Sequence, residues 1–207
     1  MESLEYGMTD AYRYMNPDPY EQFRIWFDAA RNSGNPQPDA MALATVSRAS
    51  LPSVRMVLLK AFDRRGFVFF TNYNSRKARE LEETGYAAAA FFWANPCQRQ
   101  VRIEGRVEKI SEEESDMYFL SRPRGSQIAA WASPQSAVIP DRGYLESLVE
   151  QVERRFQGKQ VSRPEFWGGY RIVPHAFEFW EGKPNRLHDR FRYLLKDGTW
   201  SLDRLAP

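Results

Sequence analysis

The sequence predicts a mainly β protein with flanking helices, on three observations. Short runs rich in β-branched and aromatic residues follow one another with hardly a helix between them. Turn signals separate these runs, such as Asp-Arg-Arg-Gly at 63–66 and Asp197-Gly198. No G-x-G-x-x-G motif follows a predicted strand, and Gly168-Gly169 stands alone. We therefore expect an antiparallel sheet or barrel and not a doubly wound nucleotide-binding fold.

A helix is the first predicted element, and we expect it to end near Gly34. Asp18 and Glu21 form a D-x-x-E capping pattern, and Pro19 occupies the first helical position. The apolar residues that recur at helical spacing are Phe23, Trp26, Phe27 and Ala30. Residues 1–17 precede this helix, and we expect them to be flexible.

Five strands and one short helix are predicted in the middle of the chain. The helix follows Ser75 within residues 75–83. The strands lie within residues 41–47, 54–62, 66–72, 86–93 and 98–110. In the last of them Val101, Ile103 and Val107 share one face of an alternating pattern.

Two more helices and a C-terminal hairpin complete the prediction. Ser111 and Glu114 form a capping box for a helix through Tyr118 and Phe119. A longer amphipathic helix is expected over 141–156, and residues 121–127 and 135–136 are expected to lie in loops. Strands are expected at 176–180, 186–195 and 200–205, the last two joined by the Asp-Gly turn.

Composition excludes several classes of function. The 29 Lys and Arg residues nearly balance the 27 Asp and Glu residues, so the net charge of +2 does not favour non-specific nucleic-acid binding. One Cys excludes an intrachain disulfide, and with two His it is too little for a zinc site of sulfur and imidazole ligands. No signal peptide or apolar run of membrane-spanning length is visible. We expect a cytoplasmic protein, without metal, whose residues 18–207 form one domain.

The most informative candidate site is the segment Arg-Leu-His-Asp-Arg at 186–190. On a strand, Arg186, His188 and Arg190 would point to one face and could bind an anionic or electron-rich ligand. The alternative is an exposed charged edge strand that prevents aggregation.

Two further basic groups accompany predicted elements. Arg76 and Lys77 open a helix, where backbone N–H groups and two cations could hold a phosphate, although a solvated first turn is the alternative. Arg55 and Lys60 are five residues apart, and on a flat strand that odd spacing sends them to opposite faces. Both could serve one ligand only through a bulge, a lengthwise ligand or a site shared between subunits; otherwise they are solvated end caps.

The remaining polar candidates lie in the predicted loops. Arg122, Arg124 and Ser126 offer a third basic pocket, and Gln135-Ser136 supplies neutral hydrogen-bonding groups. Such loops commonly contact only water. The six Trp residues, Trp180 among them, are more often core than cofactor platforms.

Ten dispersed motifs, in order from about Asp18 to Pro207, resemble the pyridoxamine 5'-phosphate oxidase family. They are RMVLLK (55–60), FFTN (69–72), SRK (75–77), RQVR (99–102), SRPRGSQI (121–128), QS (135–136), FWGG (166–169), EFW (178–180), RLHDR (186–190) and RLAP (204–207). The resemblance implies an FMN-binding split β-barrel that acts as a homodimer, with active sites at the subunit interface and a C-terminal dimerisation region. A site shared between subunits would allow Arg55 and Lys60 to serve one kind of ligand although they are expected on opposite faces of a strand.

The same resemblance implies the residues of the site. The residues implied to bind FMN are Arg55, Met56, Val57, Leu58, Lys60, Phe70, Thr71, Arg76, Lys77, Gln100, Gln135, Ser136, Trp180 and Arg190. Those implied to bind the substrate are Lys60, Tyr118, Arg122, Ser126, Arg186 and His188, with Tyr118, Arg122 and Ser126 on its phosphate. Arg186 and His188 are the implied catalytic pair, which would orient the reacting carbon.

The implied reaction oxidises pyridoxamine or pyridoxine 5'-phosphate to pyridoxal 5'-phosphate, with O2 as acceptor and H2O2 as product. Two departures from the family pattern are visible. Phe70 stands where some relatives carry Tyr, and the segment before Tyr6 lacks a basic residue associated with an active-site lid.

Two alternative functions remain open. One is a phenazine-pathway flavin oxidase, which the implied phosphate pocket disfavours. The other is a non-catalytic binder of flavin, haem or pyridoxal phosphate, which the motif at 186–190 disfavours.

Overall fold

The computed structural model describes residues 15–207, and it confirms the mainly β class with flanking helices. The helices are α1 (Pro19–Asn32), α2 (Arg76–Thr84), α3 (Glu112–Ser121), α4 (Arg124–Ala132) and α5 (Arg142–Arg155). The strands are β1 (Ala40–Val46), β2 (Pro52–Leu58), β3 (Ala61–Asp63), β4 (Gly66–Asn72), β5 (Tyr86–Trp93), β6 (Arg99–Lys109), β7 (Trp167–Glu181), β8 (Asp189–Lys196) and β9 (Thr199–Arg204). The possible lid near Tyr6 lies outside the described residues.

Hydrogen bonding orders seven of these strands as β2-β1-β5-β6-β7-β4-β3, and β8 joins β7 to β9. The pairs β3–β4, β4–β7, β7–β8 and β8–β9 are all antiparallel. Strands β2 and β3 stand at opposite ends of the order, although only Leu59 and Lys60 separate them along the chain. The chain therefore passes directly from one end of the order to the other.

The described residues divide into two compact units. The first unit contains residues 15–41, 89–104 and 174–207, and the second contains 42–88 and 105–173. Strands β1, β5, β6 and β7 each contribute residues to both units.

An aromatic core holds the first unit together. Helix α1 begins at the predicted cap, where the Asp18 carboxylate accepts the Tyr20 N–H at 3.0 Å. The predicted apolar face of α1 is buried, and its Phe23 packs edge to face on Phe91 with ring centroids 5.1 Å apart. Trp26 does the same on Phe179 at 5.3 Å. Because such ring pairs add to area burial, they attach α1 to its sheet.

A second core lies beneath the helices of the second unit. Its buried residues are Phe119, Ile128, Phe156, Val161 and Trp167. Helix α3 begins at the predicted cap Ser111, whose Oγ accepts the Glu114 N–H at 3.1 Å. Helices α2 and α5 likewise begin at Ser75 and Asp141. These caps fix where the helices start over the sheet.

Three predicted elements differ from the structure. The single strand expected over 54–62 is two strands, because at Lys60 the backbone N–H turns to the Val68 carbonyl at 2.8 Å. The loop expected at 121–127 is helical from Arg124 onward, where α4 starts directly after Pro123. Pro123 also keeps Arg122 extended, with ψ 149°, so α3 and α4 remain separate.

The expected strand at 186–195 begins only at Asp189, so the predicted common face of Arg186, His188 and Arg190 is wrong. Residues Pro184–Arg186 form a single 3-10 turn instead. Pro184 lacks a backbone donor, and Asn185 and Arg186 have φ of 57° and 63°, which a strand does not accommodate. The predicted Asp197-Gly198 hairpin is confirmed, since both residues have positive φ and join β8 to β9.

No helix among residues 15–207 is both long enough and apolar enough to cross a membrane.

Substitution of Gly168 by Ala should destabilise the protein. A Cβ at this position would lie 2.0 Å from the Tyr73 hydroxyl oxygen and 2.7 Å from its ring carbon Cζ, so the ring must move. Overpacking of this kind costs about 1–3 kcal/mol. Thermal unfolding should show a lower Tm for Gly168→Ala, and Tyr73→Phe in the same chain should recover part of the loss.

Gly125→Ala is the matched control, because a Cβ there meets nothing within 4 Å and Gly125 lies in α4 without positive φ. Its stability should be unchanged or higher by up to about 1 kcal/mol. Equal Tm values for the two Gly→Ala variants would contradict the packing argument.

Candidate functional site

A cavity of about 600 Å³ lies in the second unit. The predicted site residues that line it are Arg55, Met56, Val57, Leu58, Lys60, Phe70, Thr71, Lys77, Tyr118, Arg122, Ser126 and Gln135. Strands β2 and β4, the first turn of α2, helix α3 and helix α4 supply most of these side chains, and Lys60, Arg122 and Gln135 lie in the segments between elements. One wall carries cations and hydrogen-bonding groups, and another carries aromatic rings.

The first turn of α2 forms the polar end of the cavity. Lys77 Nζ donates to Thr71 Oγ1 at 3.1 Å and to Gln135 Oε1 at 3.2 Å. The Arg76 N–H donates to Ser136 Oγ at 3.2 Å, so Ser136 lies against the same turn. Burial, together with the nearby charge of Arg55, lowers the pKa of Lys77. This crowded positive charge would be relieved by an anion.

A buried carboxylate lies behind these cations. Glu80, on the second turn of α2, accepts from Ser53 Oγ at 2.6 Å, from Arg76 Nε at 2.8 Å and from Thr45 Oγ1. Burial opposes its ionisation, but the hydrogen bonds from Ser53, Thr45 and Arg76 prevail and lower its pKa to about 2. Glu80 is therefore ionised throughout the neutral range.

Arg55 and Lys60 line the same cavity within one chain. The expectation that they face opposite sides rested on one continuous strand, and that strand ends at Leu58. A second subunit is therefore not needed to bring these two residues together. Arg55 Nη1 donates to the Leu43 carbonyl at 3.1 Å and to Thr45 Oγ1 at 2.5 Å, which fixes its direction.

Aromatic rings form the opposite wall. The rings of Phe70 and Tyr118 stack with centroids 3.9 Å apart, and Trp167 stacks on Phe70 at 5.4 Å. The Arg122 guanidinium lies 4.6 Å from the Trp167 ring centroid. Burial lowers the pKa of Arg122, and its Nη1 is buried without a hydrogen-bond partner among residues 15–207. An unsatisfied guanidinium at a cavity wall is suited to bind an anionic oxygen.

The other predicted residues, Gln100, Trp180, Arg186, His188 and Arg190, belong to the first unit. His188 lies against Trp180 with ring centroids 4.7 Å apart, and its Nδ1 accepts the Lys183 N–H at 3.1 Å. This contact leaves the proton of a neutral imidazole on Nε2. Arg190 is held by Glu178 at 2.9 Å and by the Ala206 carbonyl at 2.8 Å. Gln100 lies on β6, and Arg186 ends the 3-10 turn.

Several lining residues were not predicted from the sequence. They are Asn72, Pro123, Ala129, Ala130, Ser133 and Trp167. Trp167 was visible in the FWGG motif, but a buried Trp is ordinarily core, and its contact with Arg122 depends on the fold. Ala129 and Ala130 were missed because helix α4 was not predicted.

The cavity can therefore hold a ligand that has ring systems and phosphate groups. The stacked rings offer a flat apolar surface, and cationic or hydroxyl groups lie at two separate places, around Lys77 and around Arg122. The described lining has no arrangement of a nucleophile beside a base. Any redox chemistry here would need a bound cofactor.

Comparison with known proteins agrees with this geometry. A family model described as pyridoxamine 5'-phosphate oxidase matches residues 27–156, and one described as pyridoxine 5'-phosphate oxidase C-terminal dimerisation region matches 167–207. A pyridoxine/pyridoxamine 5'-phosphate oxidase of Rippkaea orientalis is 55% identical, over 93% of this chain and 91% of the relative. One from Burkholderia thailandensis is 54% identical over the same shares of the two chains.

Two solved structures share the fold. PhzG from Burkholderia lata, in complex with tetrahydrophenazine-1-carboxylic acid, has a TM-score of 0.89 and 31% identity over 96% of each chain. A pyridoxamine 5'-phosphate oxidase-related, FMN-binding protein from Nostoc punctiforme has a TM-score of 0.73 and 18% identity, covering 93% of this chain and 100% of its own. The predicted split-barrel fold is confirmed.

Acid should remove a stabilising contribution that comes from Glu80. Its folded-state pKa of about 2 lies below the ordinary value of 4.5, so the contribution is present above pH 4.5 and is lost as the pH falls towards 2. Urea unfolding of wild type should therefore lose stability over this window. Glu80→Gln should be less stable than wild type at neutral pH and should lose less on acidification. Parallel stability–pH curves for the two proteins would refute the assignment.

Proposed function

The chain belongs to the pyridoxamine 5'-phosphate oxidase family, and from this premise we propose that it is an FMN-dependent oxidase that forms pyridoxal 5'-phosphate. Its substrates are pyridoxamine 5'-phosphate and pyridoxine 5'-phosphate. The observation that carries the proposal is that one cavity has two cationic places, around Lys77 and around Arg122. A reaction between a phosphorylated cofactor and a phosphorylated substrate needs two such places.

The residues around α2 fit the phosphate of FMN. A phosphomonoester carries a charge of about −1.5 to −2 at neutral pH. Such a group would accept from the N-terminal turn of α2 and would compensate the charges of Lys77 and Arg55, since burial and the charge of Arg55 lower the pKa of Lys77. The residues proposed to hold FMN remain Arg55, Met56, Val57, Leu58, Lys60, Phe70, Thr71, Arg76, Lys77, Gln100, Gln135, Ser136, Trp180 and Arg190.

The residues around Arg122 fit the phosphate of the substrate. Arg122 Nη1 has no hydrogen-bond partner among the described residues, and Tyr118 and Ser126 line the cavity beside it. Because the Arg122 guanidinium is already held over Trp167, it loses little conformational entropy when it binds a phosphate. We assign Tyr118, Arg122 and Ser126 to this phosphate, and Lys60, Arg186 and His188 to the rest of the substrate.

When bound, FMN would supply the two-electron redox chemistry that oxidises the substrate carbon, with O2 as the acceptor and H2O2 as the product. The chain contributes positioning. The stacked rings of Phe70 and Tyr118 exclude water from one wall of the cavity, and the cations hold each ligand by its phosphate. Arg186 and His188 orient the reacting carbon, and the contact of Nδ1 with Lys183 makes Nε2–H of a neutral His188 a hydrogen-bond donor.

We propose that the protein works as a homodimer with shared active sites. The model that matches residues 167–207 is described as a C-terminal dimerisation region. In addition, Val54 and Met56 on β2 are 68% and 63% exposed, and their even spacing puts them on one face of that strand. A pair of large exposed apolar side chains on the strand that carries Arg55 supports an interface next to the cavity.

A second candidate function follows from the similarity to PhzG, whose structure holds a tetrahydrophenazine carboxylic acid. The stacked aromatic wall would accept that ring system as well. The Arg122 environment distinguishes the two functions, because a substrate without a phosphate group would leave its desolvated guanidinium without a dianionic partner.

The purified protein should be yellow, should release FMN and not FAD on denaturation, and should form H2O2 with either phosphorylated substrate. Anaerobic addition of pyridoxamine 5'-phosphate should bleach the flavin absorbance band, because electrons leave the substrate for the cofactor. Release of FAD, or oxidation of a reduced phenazine carboxylic acid with no response to either B6 phosphate, would reject the proposal.

Arg122→Met should weaken binding of the phosphorylated substrate selectively. Loss of one charge-assisted partner costs about 1.5–3 kcal/mol, so kcat/KM should fall roughly ten- to a hundredfold through KM. The Kd for FMN should not change, because the α2 residues are intact. Steady-state kinetics and flavin fluorescence quenching measure the two effects.

Arg142→Met is the control, since this arginine is 85% exposed on α5 and does not line the cavity. It should leave both constants at wild-type values. If Arg122→Met loses FMN and substrate affinity in parallel, the assignment of two separate phosphate places is wrong.

A further inference from the structure

We propose that Glu80 is a positioning residue that orients Arg55 and Arg76 towards the phosphate of the flavin. This inference rests on the proposed FMN function and goes beyond it, since Glu80 does not line the cavity and is not among the residues assigned to either ligand. The residue acts through its neighbours from behind the binding surface.

Glu80 is buried, and its partners come from three different elements. Its side chain is 5% exposed, and its carboxylate accepts from Thr45 on β1, from Ser53 on β2 and from Arg76 on α2. Arg55 Nη2 on β2 lies 3.4 Å from Glu80 Oε2. One carboxylate therefore ties the first turns of α2 to the two strands beside it.

The network fixes the direction of the Arg55 guanidinium. Nη1 is held by the Leu43 carbonyl and Thr45 Oγ1, and Nη2 by Ser53 Oγ and Glu80. These partners lie on β1, β2 and α2, so the guanidinium is held before a ligand arrives. A pre-oriented cation loses less conformational entropy on binding a phosphate than a free surface arginine does.

The network also sets the net charge of the site. Arg55, Arg76 and Lys77 carry three positive charges, and Glu80 carries one negative charge, which leaves +2. This sum matches a phosphomonoester dianion. Burial lowers the pKa of Lys77, and the charge of Arg55 lowers it further, so these two cations repel one another even with Glu80 present. Without Glu80 the repulsion would be greater, and the arginines would have no common anchor.

A purely competitive role for Glu80 predicts the opposite result. If the carboxylate merely neutralised Arg55 and Arg76, its removal would free them and would strengthen phosphate binding. If it positions them, its removal weakens phosphate binding even though the net positive charge of the site rises. The sign of the effect therefore distinguishes the two roles.

The test compares FMN with riboflavin, which lacks the phosphate, on full-length protein freed of its flavin. Kd values from fluorescence quenching give the ratio of FMN affinity to riboflavin affinity. This ratio reports only the contribution of the phosphate. We expect Glu80→Gln to lower this ratio about tenfold with little change in riboflavin affinity, as loss of a charge-assisted contact implies. Glu80→Asp keeps the charge and should retain more of the ratio than Glu80→Gln.

Glu83→Gln is the matched control, because Glu83 is exposed on the same helix and its substitution removes the same charge. Its ratio should equal that of wild type. An unchanged or increased ratio in Glu80→Gln, or a parallel loss of both flavins, would overturn the inference while leaving the proposed function intact. A wild-type protein that binds neither flavin would overturn both. Circular dichroism confirms that each variant is folded, and the ratio is read at the same temperature for all.

Discussion

The site depends on a constraint that the chain meets at Leu59 and Lys60. Strands β2 and β3 stand at opposite ends of the strand order, yet only these two residues separate them. The backbone must leave the pairing of β2 and join β4 within two residues, and the Lys60 N–H makes the first bond to β4 at the Val68 carbonyl. Because of this change of partner, Arg55 and Lys60 line one cavity despite their odd spacing. The first turn of α2 and the aromatic wall then complete the cavity around them.

The second requirement is to keep several cations together before any anion is present. The protein meets it in two different ways. Around α2, a buried carboxylate and hydroxyl groups hold the arginines, and hydrogen bonds from Ser53 and Thr45 keep Glu80 charged. Around Arg122, the indole of Trp167 takes the place of a carboxylate. A π face supports a guanidinium without neutralising it, which leaves that charge available to a ligand. The difference suits a tightly held cofactor at one place and an exchanging substrate at the other.

Local chemistry was predictable from the sequence, and long-range geometry was not. The caps at Asp18 and Ser111 were predicted at the correct residue, because a cap is a contact between neighbours in the chain. Helix α4 was missed since Ser, Pro, Arg and Gly dominate its start, although Pro123 marks that start. The strand predicted through Arg186 and His188 followed their alternation and ignored Pro184. The cation–π contact of Arg122 and the buried position of Glu80 have no local signature, because each needs partners from distant parts of the chain.

The tight packing behind Trp167 also decides where this cavity could be reshaped. Neither Gly168 nor Gly169 has room for a methyl group, since a Cβ would lie 2.0 Å from the Tyr73 hydroxyl or 2.4 Å from the Ile110 Cδ1 atom. A side chain larger than glycine at either β7 position would therefore require Tyr73 or Ile110 to move. On α4, by contrast, Ala129 and Ala130 line the cavity with the smallest side chains that have a Cβ. Larger side chains at these two positions would narrow the cavity, so selection for a smaller ring system has its room for change on that helix and not at Gly168 or Gly169.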